Sequence, residues 1–178
     1  MRASLIVIFL IPGLASAGPG MYQDRAEFLT ETFQGAVPPP AVVWLTHDLR
    51  ERATNILGHA PTSLRLRYWE RNRRSAWIID EIGKERPITI GVAIMAGRIE
   101  TVRVLQFRES YGWEVRYPFF TKQFAGAGIG NDNKLDTAID SISGATLSVN
   151  AVRRVAALAL YLHEHTSRKI PQQARADP

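Results

Sequence analysis

The sequence predicts an α+β fold: an antiparallel β-sheet of about four strands packed with helices, the last of them long and starting at a Ser-Gly-Ala-Thr motif. Three observations carry this expectation. Across residues 64–107 apolar side chains recur at every second position, the period of a half-buried strand. Between Leu147 and His165 they recur at helical spacing instead. A chain of 178 residues, 46% hydrophobic and 22% charged, has the composition of a globular domain with a sizeable core. Its ten Pro and thirteen Gly follow no fixed period, which excludes collagen-like, solenoid and low-complexity architectures.

Taken in order, the first segment reads as a targeting signal. Arg2 supplies the positive start, Leu5 to Leu14 an apolar run, and Ala15-Ser16-Ala17 the small-x-small pattern that signal peptidase accepts. Residues 1–17 are therefore expected to be removed, leaving a periplasmic chain that begins at Gly18. Pro12-Gly13 interrupts the apolar run, which falls well short of the about 20 residues that a membrane span needs. Residues 18–63 read as an N-terminal helical segment, 64–167 as the main domain and 168–178 as a disordered tail.

Asp24 to Phe33 has the pattern of a short amphipathic helix, and Val37-Pro38-Pro39-Pro40 stiffens the chain into a connector that cannot prolong it. A second helix follows, with Thr46 as cap, Leu45, Leu49, Ala53, Ile56 and Leu57 at helical spacing, and Gly58 as its end. From residue 64, Leu64, Leu66 and Tyr68 alternate with Arg65, Arg67 and Trp69. A polar segment from Arg71 to Ser75 then leads to Ala76–Ile82, which predicts a hairpin. Ile88–Met95 and Ile99–Phe107, joined through Ala96-Gly97-Arg98, predict a second hairpin and an antiparallel meander. Glu109 to Gly130 is aromatic and glycine-rich, with loop chemistry and one helical turn expected near Phe119 to Phe124. The final helix, with Val152, Val155, Ala156, Ala159 and Leu162 on one face, is expected to lie buried on the sheet.

Exported chains often carry disulfides, yet this one has no Cys, so packing alone must stabilise it. The same absence excludes thiol catalysis, iron–sulfur ligation and Cys-based zinc sites. The formal net charge of +5 clusters once: Arg65, Arg67, Arg71, Arg73 and Arg74 crowd around Tyr68 and Trp69. A solvated strand face and a partner-docking patch both fit such a cluster. Nothing in its form points to nucleic acid.

The residues richest in chemistry stand where the last helix begins: Asp140-Ser141-Ile142-Ser143-Gly144-Ala145-Thr146-Leu147-Ser148. A helix start presents unpaired N–H groups and a partial positive charge, so a phosphate near Thr146 would be stabilised there. Gly144 and Ala145 leave the approach to the Thr146 hydroxyl open. Plain capping of the helix by Ser143 or Thr146 explains the same residue types.

Position distinguishes the two, because the order of motifs resembles the FMN-binding domain family. Its better-known members are flavin-carrying subunits of sodium-pumping and Rnf-type bacterial respiratory complexes. The resemblance rests on Asp140, Ser143-Gly144-Ala145-Thr146 and Ser148. It rests equally on Glu109-Ser110-Tyr111-Gly112, where relatives carry Glu-Thr-x-Gly, and on Phe120 with Gln123-Phe124-Ala125-Gly126. It covers about residues 88–162, with Ser141 standing where Gly often follows the Asp and Ser110 in place of Thr.

The resemblance implies that residues 64–167 are an FMN-binding domain, with FMN joined to Thr146 through a phosphoester. It further implies that Asp140 belongs to the signal read by a flavin transferase, which takes FMN from FAD with a divalent metal. Ser143, Gly144 and Ala145 complete the attachment motif, and Glu109, Ser110, Tyr111 and Gly112 are further candidates for flavin contact. Tyr111, Trp113, Phe120 and Phe124 are expected either to stack on the flavin ring or to pack in the core. The implied role is that of an electron-transfer carrier in the bacterial envelope, working with a membrane redox protein or dehydrogenase and membrane-associated only through it. The alternative is a flavin-free envelope binding module docking a partner through residues 24–87.

Other constellations fail on spacing. Gly126-Ala127-Gly128-Ile129-Gly130 lacks the strand and helix of a dinucleotide loop. Ser141 breaks a nucleophile elbow around Ser143. His163 and His165, two apart on a helix, do not share a face. Asn131 to Asp136 lacks the Gly and distant Glu of a calcium loop and reads as a solvated turn.

Overall fold

The computed structural model describes residues 20–173, so the expected signal peptide lies outside the described residues. Five strands form one antiparallel sheet in the order β1-β2-β3-β4-β5: β1 (Ala41–Trp44), β2 (Arg65–Arg71), β3 (Arg74–Ile82), β4 (Pro87–Met95) and β5 (Arg98–Phe107). The expected meander is present, with β1 as a fifth strand where only a connector was expected. Antiparallel pairing of β1 with β2, Ala41 opposite Tyr68 and Trp44 opposite Arg65, ties the N-terminal segment into the same sheet.

The polar run expected from Arg71 to Ser75 contracts to a two-residue turn. Asn72 and Arg73 take φ of 52° and 64°, and Ala96 and Gly97 of the β4–β5 turn take 51° and 81°. Both central residues with positive φ define the turn whose twist matches two paired strands, so the strands run on to the turn itself.

Helices cover both faces. α1 (Arg25–Thr32) is capped by Asp24, whose Oδ1 accepts from the Ala26 N–H at 2.7 Å. It packs Phe28, Leu29 and Phe33 on Ala76, Ala93 and Leu105. A Cβ at Gly91 of β4 would lie 2.9 Å from the Phe28 ring, so the missing side chain is what lets α1 approach.

The larger core lies on the opposite face, where α2 (His47–Leu57) and α4 (Thr146–Gln173) pack on the sheet. α2 ends at Gly58 in the left-handed region, as expected, whereas Thr46 occupies the cap position without a side-chain cap bond. In α4, Val149, Val152, Val155, Ala156, Ala159 and Leu162 are fully buried. Each large aliphatic side chain removed from water in this way contributes about 1.5–3 kcal/mol. The helix starts at the expected motif and continues past His165 and Ser167 into the expected tail, of which 174–178 lie outside the described residues. No helix among the described residues is long and apolar enough to cross a membrane.

The chain between β5 and α4 has little regular structure: a 3₁₀ turn at Trp113–Arg116, the one-turn α3 (Pro118–Thr121) and a 3₁₀ turn at Lys122–Phe124. These short pieces wrap the start of α4 and so build the site.

Candidate functional site

The first intrahelical bond of α4 runs from the Val149 N–H to the Ala145 carbonyl at 2.9 Å, which puts Ala145 in the cap position and Thr146 inside the helix. Just before it the Ala145 N–H donates to the Ile142 carbonyl at 3.0 Å, and Gly144 holds the turn with φ of 80°. Nothing lies within 4 Å of where a Gly144 Cβ would stand, so the left-handed backbone, not crowding, calls for glycine there.

This register corrects the capping reading. Alanine has no oxygen to offer a free N–H. The hydroxyls of Ser143 and Thr146 make no hydrogen bond among the described residues, and both residues are exposed. The helix therefore opens with its N–H groups uncapped by any side chain, next to an exposed threonine hydroxyl without a partner.

Three contacts fix this opening in space. Gly112, buried and at φ 85°, packs so tightly that a Cβ on it would meet Ser148 Oγ at 2.4 Å and Ala145 Cα at 3.5 Å. The expected Glu109–Gly112 stretch thus lies directly on the first turn of α4. Gln123 Oε1 accepts from the Asp140 N–H at 2.7 Å, which joins the second motif to the loop. Arg153, one face down the same helix, donates to the Ile139 carbonyl. The Asp140 carboxylate stays exposed and makes no hydrogen bond among the described residues.

Gln123 is legible only as part of a resembling motif, and no pattern in the sequence singles out Arg153. Neither contact has a periodic signature, since each joins positions 17 and 14 residues apart through irregular chain.

Glu109 is close by but its Oε1 is committed. It accepts from the N–H groups of Lys84, Glu85 and Arg86 at 2.5, 2.7 and 2.9 Å, closing the β3–β4 turn. Partial burial pushes its pKa up, but the three backbone donors outweigh that and hold it below the ordinary carboxylate value. Ser110 and Tyr111 are exposed, Tyr111 by 81%.

The aromatic expectation divides. Phe120 and Phe124 are fully buried and meet edge to face with centroids 5.3 Å apart, so they are core and cannot stack on a surface ring. Phe120 from α3 and Phe124 from the 3₁₀ turn after it both lie in the core, their two elements packed against β5. Tyr111 and Trp113 remain at the surface, and Trp113 carries the Arg116 guanidinium 5.1 Å from its centroid.

His163 is buried, with Nδ1 2.8 Å from Ser75 Oγ. Asp136 pairs with Arg98 and accepts from the Gly128 N–H at 2.7 Å, a turn closed by its own partners.

Among the described residues, the long helix of this α+β domain opens without a side-chain cap beside an unbonded hydroxyl, held by a glycine and a glutamine from the two preceding motifs. Residues 83–161 match the family model of the FMN-binding domain, and this stretch belongs to that family. FMN is accordingly its cofactor. A search of curated proteins finds no match to the chain.

The residues present suit that group. A phosphate at this helix start would meet uncapped N–H groups and a positive helix end, and no atom lies within 4 Å of where a Gly144 Cβ would stand.

Proposed function

We propose that the protein is an exported flavoprotein that carries FMN as a phosphoester on Thr146 and passes electrons in the bacterial envelope. One observation carries the proposal: Thr146 is exposed and its hydroxyl has no partner among the described residues, at a helix start whose cap position holds an alanine. A threonine kept only for structure would be expected to cap or to bond a neighbouring carbonyl.

Attachment is a substitution at phosphorus. The bond from Thr146 Oγ1 to the phosphorus of FMN forms, the P–O–P bond of FAD breaks, AMP departs, and the hydroxyl proton passes to solvent. A flavin transferase supplies the catalytic groups and the divalent metal. The chain itself contributes geometry: Gly144 permits the turn, Gly112 and Gln123 hold the loop, and the exposed Asp140 is available for the transferase to read. When bound, FMN supplies reversible uptake and release of electrons. Tyr111 and Trp113, which flank Gly112 in the chain, offer exposed aromatic faces on which a flavin ring could stack. A membrane redox protein or dehydrogenase is the proposed partner.

The test is to export the protein in cells that also express a flavin transferase, then to examine it on a denaturing gel under ultraviolet light and by intact mass. The expected result is yellow fluorescence that stays with the band, a mass higher by one esterified FMN, and loss of both in Thr146→Ala. Bare polypeptide from the wild-type chain, matured beside an active transferase, refutes the proposal.

A further inference from the structure

β2 does not follow β3 to its end. Tyr68 to Arg71 pair with Trp77 to Arg74, but from Tyr68 towards Arg65 the strand turns to β1 alone, while β3 continues beside β4 to Ile82. Ile78 to Ile82 therefore have no strand partner on the β2 side. The two strands diverge around a cleft of about 430 Å³.

Three properties of this cleft combine. Its floor is apolar, made by Leu45, Leu57 and Leu158, which lie under the sheet. Its rim carries Arg65 and Arg67, exposed and without an ion pair among the described residues, and Arg25, 3.5 Å from Asp80. One wall is a strand edge whose backbone groups lack a ladder. The acidic side chain nearest the floor, Glu81, is already held by His59 at 2.8 Å and Arg154 at 2.7 Å, which leaves the rim basic.

We infer that the cleft between β2 and β3 receives an extended segment of a partner protein in which apolar and acidic residues alternate. Such a segment would add a strand along Ile78–Ile82, as in strand addition to an open sheet edge. Alternation sends successive side chains to opposite faces, so its apolar residues would reach the leucine floor while its carboxylates met Arg65 and Arg67. Trp44, 59% exposed beneath the Arg65 guanidinium, extends the surface along β1. The inference stands independently of the flavin.

The probe is a fluorescein-labelled octapeptide of alternating Val and Glu, with a Val and Lys octapeptide as control, added to the mature full chain. The acidic peptide is expected to bind. Its binding should weaken at least about tenfold on moving from low to high salt and again in Arg65→Glu/Arg67→Glu, both changes being at the surface. Hydrogen exchange at the amides of Ile78–Ile82 is expected to slow in the complex. Equal binding of the Lys peptide overturns the inference. So does a complex in which those amides exchange unchanged, or binding of the same arginines to phosphatidylserine vesicles with none to the peptide.

Discussion

Thr146 and Thr166 lie on the same helix twenty residues apart, and their hydroxyls meet opposite fates. Thr166 is buried, and its Oγ1 donates to the backbone carbonyls of Leu162 at 3.0 Å and His163 at 3.2 Å. Beside it Ser167 donates to Glu70 Oε1 at 3.2 Å. Below them Ser75 Oγ accepts from Trp77 Nε1 at 2.9 Å and is hydrogen-bonded to His163 Nδ1 at 2.8 Å. At the other end of α4, neither Ser143 nor Thr146 bonds anything among the described residues. Identical residue types serve as mortar where the helix closes the core and stay unspent where it opens. The difference lies in surroundings: the C-terminal end is enclosed by β2 and β3, while the N-terminal end is held from the side by Gly112 and Gln123 and left open above.

That contrast can be broken experimentally, and the sharpest break is an exchange of losses. Thr146→Ala should abolish covalent flavin, read by in-gel fluorescence, while moving the unfolding free energy by less than about 0.5 kcal/mol. Thr166→Ala should do the reverse, keeping the flavin and costing about 1 kcal/mol in denaturant titration.

Gly112→Ala attacks the lateral support. It places an alanine in left-handed backbone and drives its methyl onto Ser148, so a cost of about 2–4 kcal/mol is expected, with reduced flavin loading in the protein that folds.

Ser75→Ala tests the closed end. It strips a partner from both Trp77 Nε1 and His163 Nδ1, and the melt should show a loss of about 1–3 kcal/mol at unchanged flavin content.

The smallest effect is the pH dependence of that network. Burial, and then the charge of Arg73, hold the His163 pKa below its ordinary value, so the folded state takes up its proton less readily than the unfolded chain. The stabilisation is therefore complete above about pH 6.5 and fades as pH falls from there to the folded value. His59 acts oppositely: its hydrogen bond to Glu81 raises its pKa, so its contribution is present below about pH 6.5 and lost as pH rises through the folded value. Comparing urea midpoints of wild type and His163→Gln across pH 5–8 isolates the first contribution. A pH slope identical in the two proteins would contradict it.

Much of this architecture was legible in the residues. β2 to β5 and α4 declare themselves by period, and both tight turns fall between the runs that do so. β1 does not, because four residues after three prolines, with only Val43 buried among them, carry no alternation to detect. The loop before α4 was legible as a motif, yet the contacts that hold it were not. The Gly112–Ser148 approach and the Gln123–Asp140 bond depend on how irregular chain folds back, and no local propensity encodes that. The gap between β2 and β3 was hidden for the opposite reason. The hairpin pattern predicts pairing along the whole strand, whereas Arg65–Arg67 pair with β1 alone and β2–β3 pairing stops at Tyr68.

Ala145 has one more implication. An alanine in place of a capping residue leaves a helix about 0.5–2 kcal/mol less stable, and a phosphate dianion or diester seated on that terminus returns part of the deficit through the dipole. On the proposed attachment, the prosthetic group would double as the missing end-piece of the fold, so that chains without it would be the softer population in limited proteolysis.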